Sequence, residues 1–140
     1  MFRKILIAYD GSAGAERALR AGLDLARRYE AEAWALAVEE QLPHFATALE
    51  EVDERPGAAA HYYRRRLDLA RQRAAEVGVD LKTAYRTGHP AKTIVDFARE
   101  GNFDLIVLGH SGHSGVWAMF LGMTAEKVSR HAHCGVLIVR

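Results

Sequence analysis

Short apolar runs alternate along the chain with stretches whose apolar positions recur every three or four residues. Lys4 to Tyr9 is a short apolar run, the pattern of a strand covered on both faces, and Asp10-Gly11-Ser12 follows as a turn with Ser12 placed to cap a helix. From Ala15 to Tyr29 the apolar positions 15, 18, 19, 22, 25, 26 and 29 keep helical spacing, with charged positions 16, 17, 20, 24, 27 and 28 opposite. Ala31 to Val38 predicts a second strand, ended by Glu39-Glu40. Gln41 to Gly57, bracketed by Pro43 and Pro56-Gly57 and rich in acids, predicts a loop or short irregular helix.

Beyond it, Tyr63, Leu67, Ala70, Ala74 and Val77 step by four and three, which predicts a long amphipathic helix with Arg64-Arg65-Arg66 on its solvated face. Leu81, Thr83 and Tyr85 alternate with Lys82, Ala84 and Arg86, as in a strand exposed on one side. Gly88-His89-Pro90 ends that strand and opens a helix with Ala91, Ile94, Val95 and Ala98 inward and Gly101-Asn102 as its stop. Asp104 to Leu108 reads as a buried strand, Thr124 to Ala132 as a last helix and Gly135 to Val139 as the final strand.

Strand and helix therefore alternate from end to end. The expected fold is α/β: one doubly wound, five-stranded parallel sheet, Rossmann-like, with helices on both faces. Ligands of such sheets sit at the carboxyl ends of the strands, where the winding direction reverses. Asp10-Gly11-Ser12 and the glycine-rich stretch after Leu108 mark those ends here. The final strand is apolar on both faces and is expected at a sheet edge. An open apolar edge invites pairing, so Val136–Val139 is expected to join its copy in a two-fold homodimer.

Composition narrows the function. The 140 residues suit a single domain, 1–140, and with 49% hydrophobic residues they can bury a core. The net charge of +1 provides no field to draw in nucleic acid or an anionic membrane. A lone cysteine, Cys134, excludes an internal disulfide or a CxxC pair and is read as a small buried residue. The first residues show no secretory pattern, and the uncharged stretch 105–125 holds Gly109 to Gly115 in succession, unsuited to hydrocarbon. The expected location is the cytoplasm.

The candidate chemistry lies after the fourth strand. Gly109-x-x-Gly112, followed by Gly115 and Gly122, precedes a helix that starts near Met123 or Thr124. Glycines there let backbone N–H groups turn toward an anion, and the helix start adds its positive end, so the stretch reads as a phosphate cradle or, more blandly, a crossover loop. Sharper motifs fail. Gly122 is followed by Met123-Thr124 rather than the Lys-Ser/Thr of a P-loop, no GxGxxG follows the first strand, and GxSxG is missed twice, at Ser111 and Ser114. A phospho-receiver would cluster acids where Asp10 stands alone. His110-x-x-His113 and His131-x-His133-Cys134 belong to opposite ends of the sheet, so no metal site is expected.

Asp10 after the first strand, Gly88-His89-Pro90-Ala91, Asp104 to Gly109, and Glu126 to Val139 together resemble the universal stress protein family, whose fold is similar to that of the adenine-nucleotide α-hydrolases. The resemblance spans essentially the whole chain. Gly109, Gly112 and Gly122 occupy the glycines of the family pattern Gly-x2-Gly-x9-Gly-(Ser/Thr), while the hydroxyl residue of that pattern is Met123 and Thr124 comes one position late. The family's Cys-Pro before the last strand is Cys134-Gly135.

The resemblance implies a cytoplasmic, homodimeric, ATP-binding protein of stress tolerance with little or no hydrolysis, with ATP (and Mg2+), ADP or AMP as ligand. By position, Asp10 would accept from the adenine edge and Ala8, Tyr9 and Val38 would line the base and ribose. Leu108 and Gly109 would present backbone there, and Gly112, Gly122, Met123 and Thr124 would meet the phosphates. The side-chain hydrogen bond lost at Met123 is worth about 1.5–3 kcal/mol, and His110 or His113 are the replacement donors. Two other readings stand beside this one: a dimeric interaction module without nucleotide, pointed to by Met123 and the apolar stretch Val116 to Leu121, and a phosphate-hydrolysing enzyme, for which no positioned base is evident.

Overall fold

The computed structural model describes residues 1–40, 57–110 and 123–140. Five strands, β1 (Lys4–Ala8), β2 (Glu32–Glu40), β3 (Leu81–Gly88), β4 (Leu105–Gly109) and β5 (Gly135–Val139), alternate with four helices, α1 (Ala13–Tyr29), α2 (Ala58–Glu76), α3 (Pro90–Glu100) and α4 (Met123–His131). The strands form one parallel sheet in the order β3-β2-β1-β4-β5.

Alternation along each central strand divides the core in two. Ile5, Ile7, Leu105 and Val107 pack under α1 and α2 with Leu19, Leu23, Leu67 and Ala70. Leu6, Ile106 and Leu108 pack under α3 and α4 with Ile94, Val95 and Val128. Burying such side chains contributes roughly 1.5–3 kcal/mol each, which is why the central strands carry unbroken apolar runs. Asp104 ties the ends of β1 and β4 together, accepting from the Arg3 N–H at 2.8 Å and the Lys4 N–H at 3.1 Å.

The expected elements are present, with adjustments that have physical causes. On α1 the buried face runs through Ala15, Ala18, Leu19, Gly22, Leu23 and Ala26, while Leu25 is half-buried and Tyr29 exposed. Gly22 sits where a methyl group would come within 2.6 Å of Ile7, so α1 lies close on β1. β2 continues through Glu39 and Glu40 because β3 supplies ladder partners as far as Gly88. Pro90 opens α3 as expected, with His89 as its cap. β5 is an edge strand, and its Leu137 is exposed. Cys134 is half-buried, not a core residue. The expectation for 41–57 falls outside the described residues except for Gly57, which precedes α2 at φ 80°.

Candidate functional site

β1 and β4 are neighbours, and the chain leaves β1 for α1 on one face and β4 for α4 on the other, so the winding reverses at their carboxyl ends, the place of the ligand crevice in sheets of this kind. The first wall is the turn after β1. Asp10 Oδ1 accepts from the Ser12 N–H at 2.9 Å, Gly11 takes φ 85°, and Ser12 Oγ caps α1 through the Ala15 N–H at 3.2 Å. Asp10 therefore closes the turn with one carboxylate oxygen, as its sequence context allowed, and its side chain stands exposed at the mouth.

Ala8 and Val38, half-buried, and Leu108, buried, lie on the face toward α3 and α4, the apolar wall below that mouth. Tyr9 departs from its expected role as a lining residue on that wall. Alternation turns its ring to the opposite face, where it is buried among α1 and α2 and donates its hydroxyl to Glu16. Glu16 also pairs with Arg73. Burial pushes the Tyr9 phenol above its ordinary value, partly offset by Arg73 and Arg66.

The second wall is the end of β4. A Cβ on Gly14 would lie 2.7 Å from the His110 carbonyl oxygen, and one on Gly109 would strike the Gly14 backbone. The start of α1 and the end of β4 thus touch through two glycines, a role for Gly14 that the sequence alone did not single out. His110 follows, 7% exposed, its N–H donating to Val139 O at 2.7 Å and its Nε2 without a hydrogen-bond partner among the described residues. A buried imidazole nitrogen left unsatisfied is costly, so this atom is a ready donor or acceptor for a bound group. Met123 opens α4 and is exposed, with Thr124 half-buried beside it. Gly112, His113 and Gly122 lie outside the described residues.

Arg66 is the further residue that the sequence placed differently. It is half-buried, not fully solvated, and a Cβ on Gly11 would meet its Cδ at 3.1 Å, so its side chain runs along the turn after β1. Its spacing of three from Tyr63 and four from Ala70, both on the packed face of α2, was the available signal.

The family model described as the universal stress protein family matches residues 1–140. The chain belongs to that family. This universal stress protein is 36% identical over 148 residues to universal stress protein YxiE of Bacillus subtilis, with all of both chains covered. Its fold is similar to that of universal stress protein UspA from Lactobacillus plantarum, with a TM-score of 0.83, 30% identity and 99% and 98% of the two chains covered. It is also similar in fold to a universal stress protein solved in complex with cAMP, with a TM-score of 0.76, 24% identity and 99% and 97% covered. In this universal stress protein, Gly109 of the family's glycine pattern is fixed by contact with Gly14 independently of any ligand. No helix among the described residues is long and apolar enough to cross a membrane.

Proposed function

We propose that this chain is a regulatory protein that binds an adenine nucleotide at the crevice between β1 and β4, with ATP and magnesium as the first candidate and ADP or AMP as alternatives. It works as a cytoplasmic homodimer paired through Val136–Val139 and hydrolyses its ligand weakly or not at all. The observation that carries the reading is what meets at the carboxyl ends of β1, β2 and β4: the apolar Ala8, Val38 and Leu108, the exposed Asp10 carboxylate, and the buried His110 Nε2, unsatisfied among the described residues. The cAMP bound by a relative of the same fold supports the ligand class. Asp10 has its second oxygen to accept from the adenine amino group, and a flat base suits the apolar wall. Gly112, Gly122 and the first-turn N–H groups of α4, Met123 and Thr124 included, meet the phosphates. With Met123 in place of a hydroxyl, backbone groups and magnesium hold the triphosphate charge.

Asp10→Asn tests this directly, because asparagine keeps an oxygen for the Ser12 N–H while presenting an amide nitrogen to the base. The expected result is an unchanged melting temperature without ligand and Mg-ATP affinity weakened about 10- to 150-fold. Unchanged affinity would remove Asp10 from the site. Failure of the wild-type protein to bind millimolar Mg-ATP would overturn the nucleotide reading. The interaction-module reading, favoured by the exposed Met123 at the start of α4, would then stand in its place.

A further inference from the structure

The outer surface between α3 and α4 carries a groove of about 410 Å³ that shares no residue with the crevice. Its polar lining comprises His89, Lys92, Asp96 and Arg99 from the α3 side and Lys127 and His131 from α4. On α3 the spacing of three, four and three puts these residues along one face. Three cations thus meet one carboxylate, and Asp96 is already paired with Lys92 at 2.6 Å. Among the described residues, neither Arg99 nor Lys127 has a carboxylate within ion-pair distance.

The decisive contact is at His89. Its Nδ1 accepts from the Lys92 N–H at 3.4 Å, capping α3, while its Nε2 stands 3.5 Å from Lys127 Nζ. A neutral imidazole has one acceptor nitrogen, and the cap uses it. With the cap made, Nε2 carries the hydrogen and faces an ammonium group, donor against donor; in the other tautomer Nε2 accepts from Lys127 and the Lys92 N–H loses its partner. Protonating the ring leaves the same conflict. Such a pair is at rest when an acceptor lies between, and one oxygen can sit within hydrogen-bond distance of both nitrogens. A water oxygen satisfies the geometry of this pair, and an anionic oxygen also answers the surrounding cations, with charge-assisted bonds about twice as strong as neutral ones.

We propose that the groove between α3 and α4 is an oxyanion site in which His89 Nε2–H and Lys127 hold a phosphate group. Arg99 and His131 lie further along the groove, so a free phosphate ion or the terminal phosphate of a longer chain presents the same chemistry to His89 and Lys127. The site stands apart from the nucleotide crevice and does not depend on it.

The experiment is a titration of the full chain with inorganic phosphate, and separately with tripolyphosphate, followed by amide shifts of α3 and α4. Sodium chloride of matched ionic strength is the control. Lys127→Gln and His89→Asn are the variants, the second chosen because asparagine still caps a helix. The expected result is saturable binding of one or both probes, weakened about tenfold in each variant. Binding of phosphate identifies a free ion as sufficient, whereas binding of tripolyphosphate alone identifies a terminal phosphate. Shifts that sodium chloride reproduces, or that survive Lys127→Gln, overturn the proposal. So does a ring nitrogen spectrum of His89 that places hydrogen on Nδ1 alone.

Discussion

At the junction of α1 and β4, Gly14 and Gly109 are held by each other before any ligand is considered. A methyl group at either position meets backbone, which cannot swing aside as a flexible side chain would. Gly109→Ala is therefore expected to destabilise the protein by roughly 1–3 kcal/mol in urea denaturation without nucleotide. Wild-type stability in that variant would show that the two backbones can separate. The sequence marked Gly109 as the first glycine of the nucleotide-binding pattern and passed over Gly14, since nothing in local spacing reveals that two distant glycines meet. The side of Tyr9, by contrast, was readable. Ile5, Ile7 and Tyr9 share one face of β1 and Leu6 and Ala8 the other, so its ring was bound to leave the wall formed by Ala8.

Elements were legible wherever burial imposed a period. The central strands are apolar because both faces are covered, and α1 and α3 show clean stripes because they lie across the sheet. The end of β2 was less so, because Glu39 and Glu40 look like a stop signal until β3 is known to continue beside them. There the Tyr85 hydroxyl donates to Glu39, and burial together with that bond pushes the phenol up to about 12. A raised phenol keeps its proton in the folded state after the unfolded chain has lost it. Its stabilisation is therefore complete below the ordinary value near 10 and is lost as pH rises toward about 12. Tyr85→Phe should flatten the fall in stability over that window by up to one proton, leaving the dependence from Tyr9 and Tyr63, which burial also raises. An unaltered slope would mean that the hydroxyl contact does not persist in solution.

For the whole molecule, the edge position of β5 matters most. Its exposed Leu137 belongs to neither core cluster, so a charge there tests assembly without disturbing the interior. Leu137→Lys is expected to halve the mass in solution by light scattering while the thermal transition remains cooperative. An unchanged dimeric mass would place the interface elsewhere, and a monomeric wild type would remove the dimer from the proposed function. The same edge reaches the crevice through the bond from His110 N–H to Val139 O.

Strand order has a consequence for how the chain is made. β1 is the middle strand, yet it is synthesised long before β4, the partner that pairs Ile5 with Leu105 and Ile7 with Val107. At about 5–20 residues per second, ribosomes leave about 1–3 seconds between the emergence of β3 and that of β4. During that interval the nascent half-sheet of β1, β2 and β3 has one finished edge and one bare apolar edge. An apolar edge is therefore open to the surroundings during the birth of the protein, at a strand whose Ile5, Leu6 and Ile7 the finished fold buries completely.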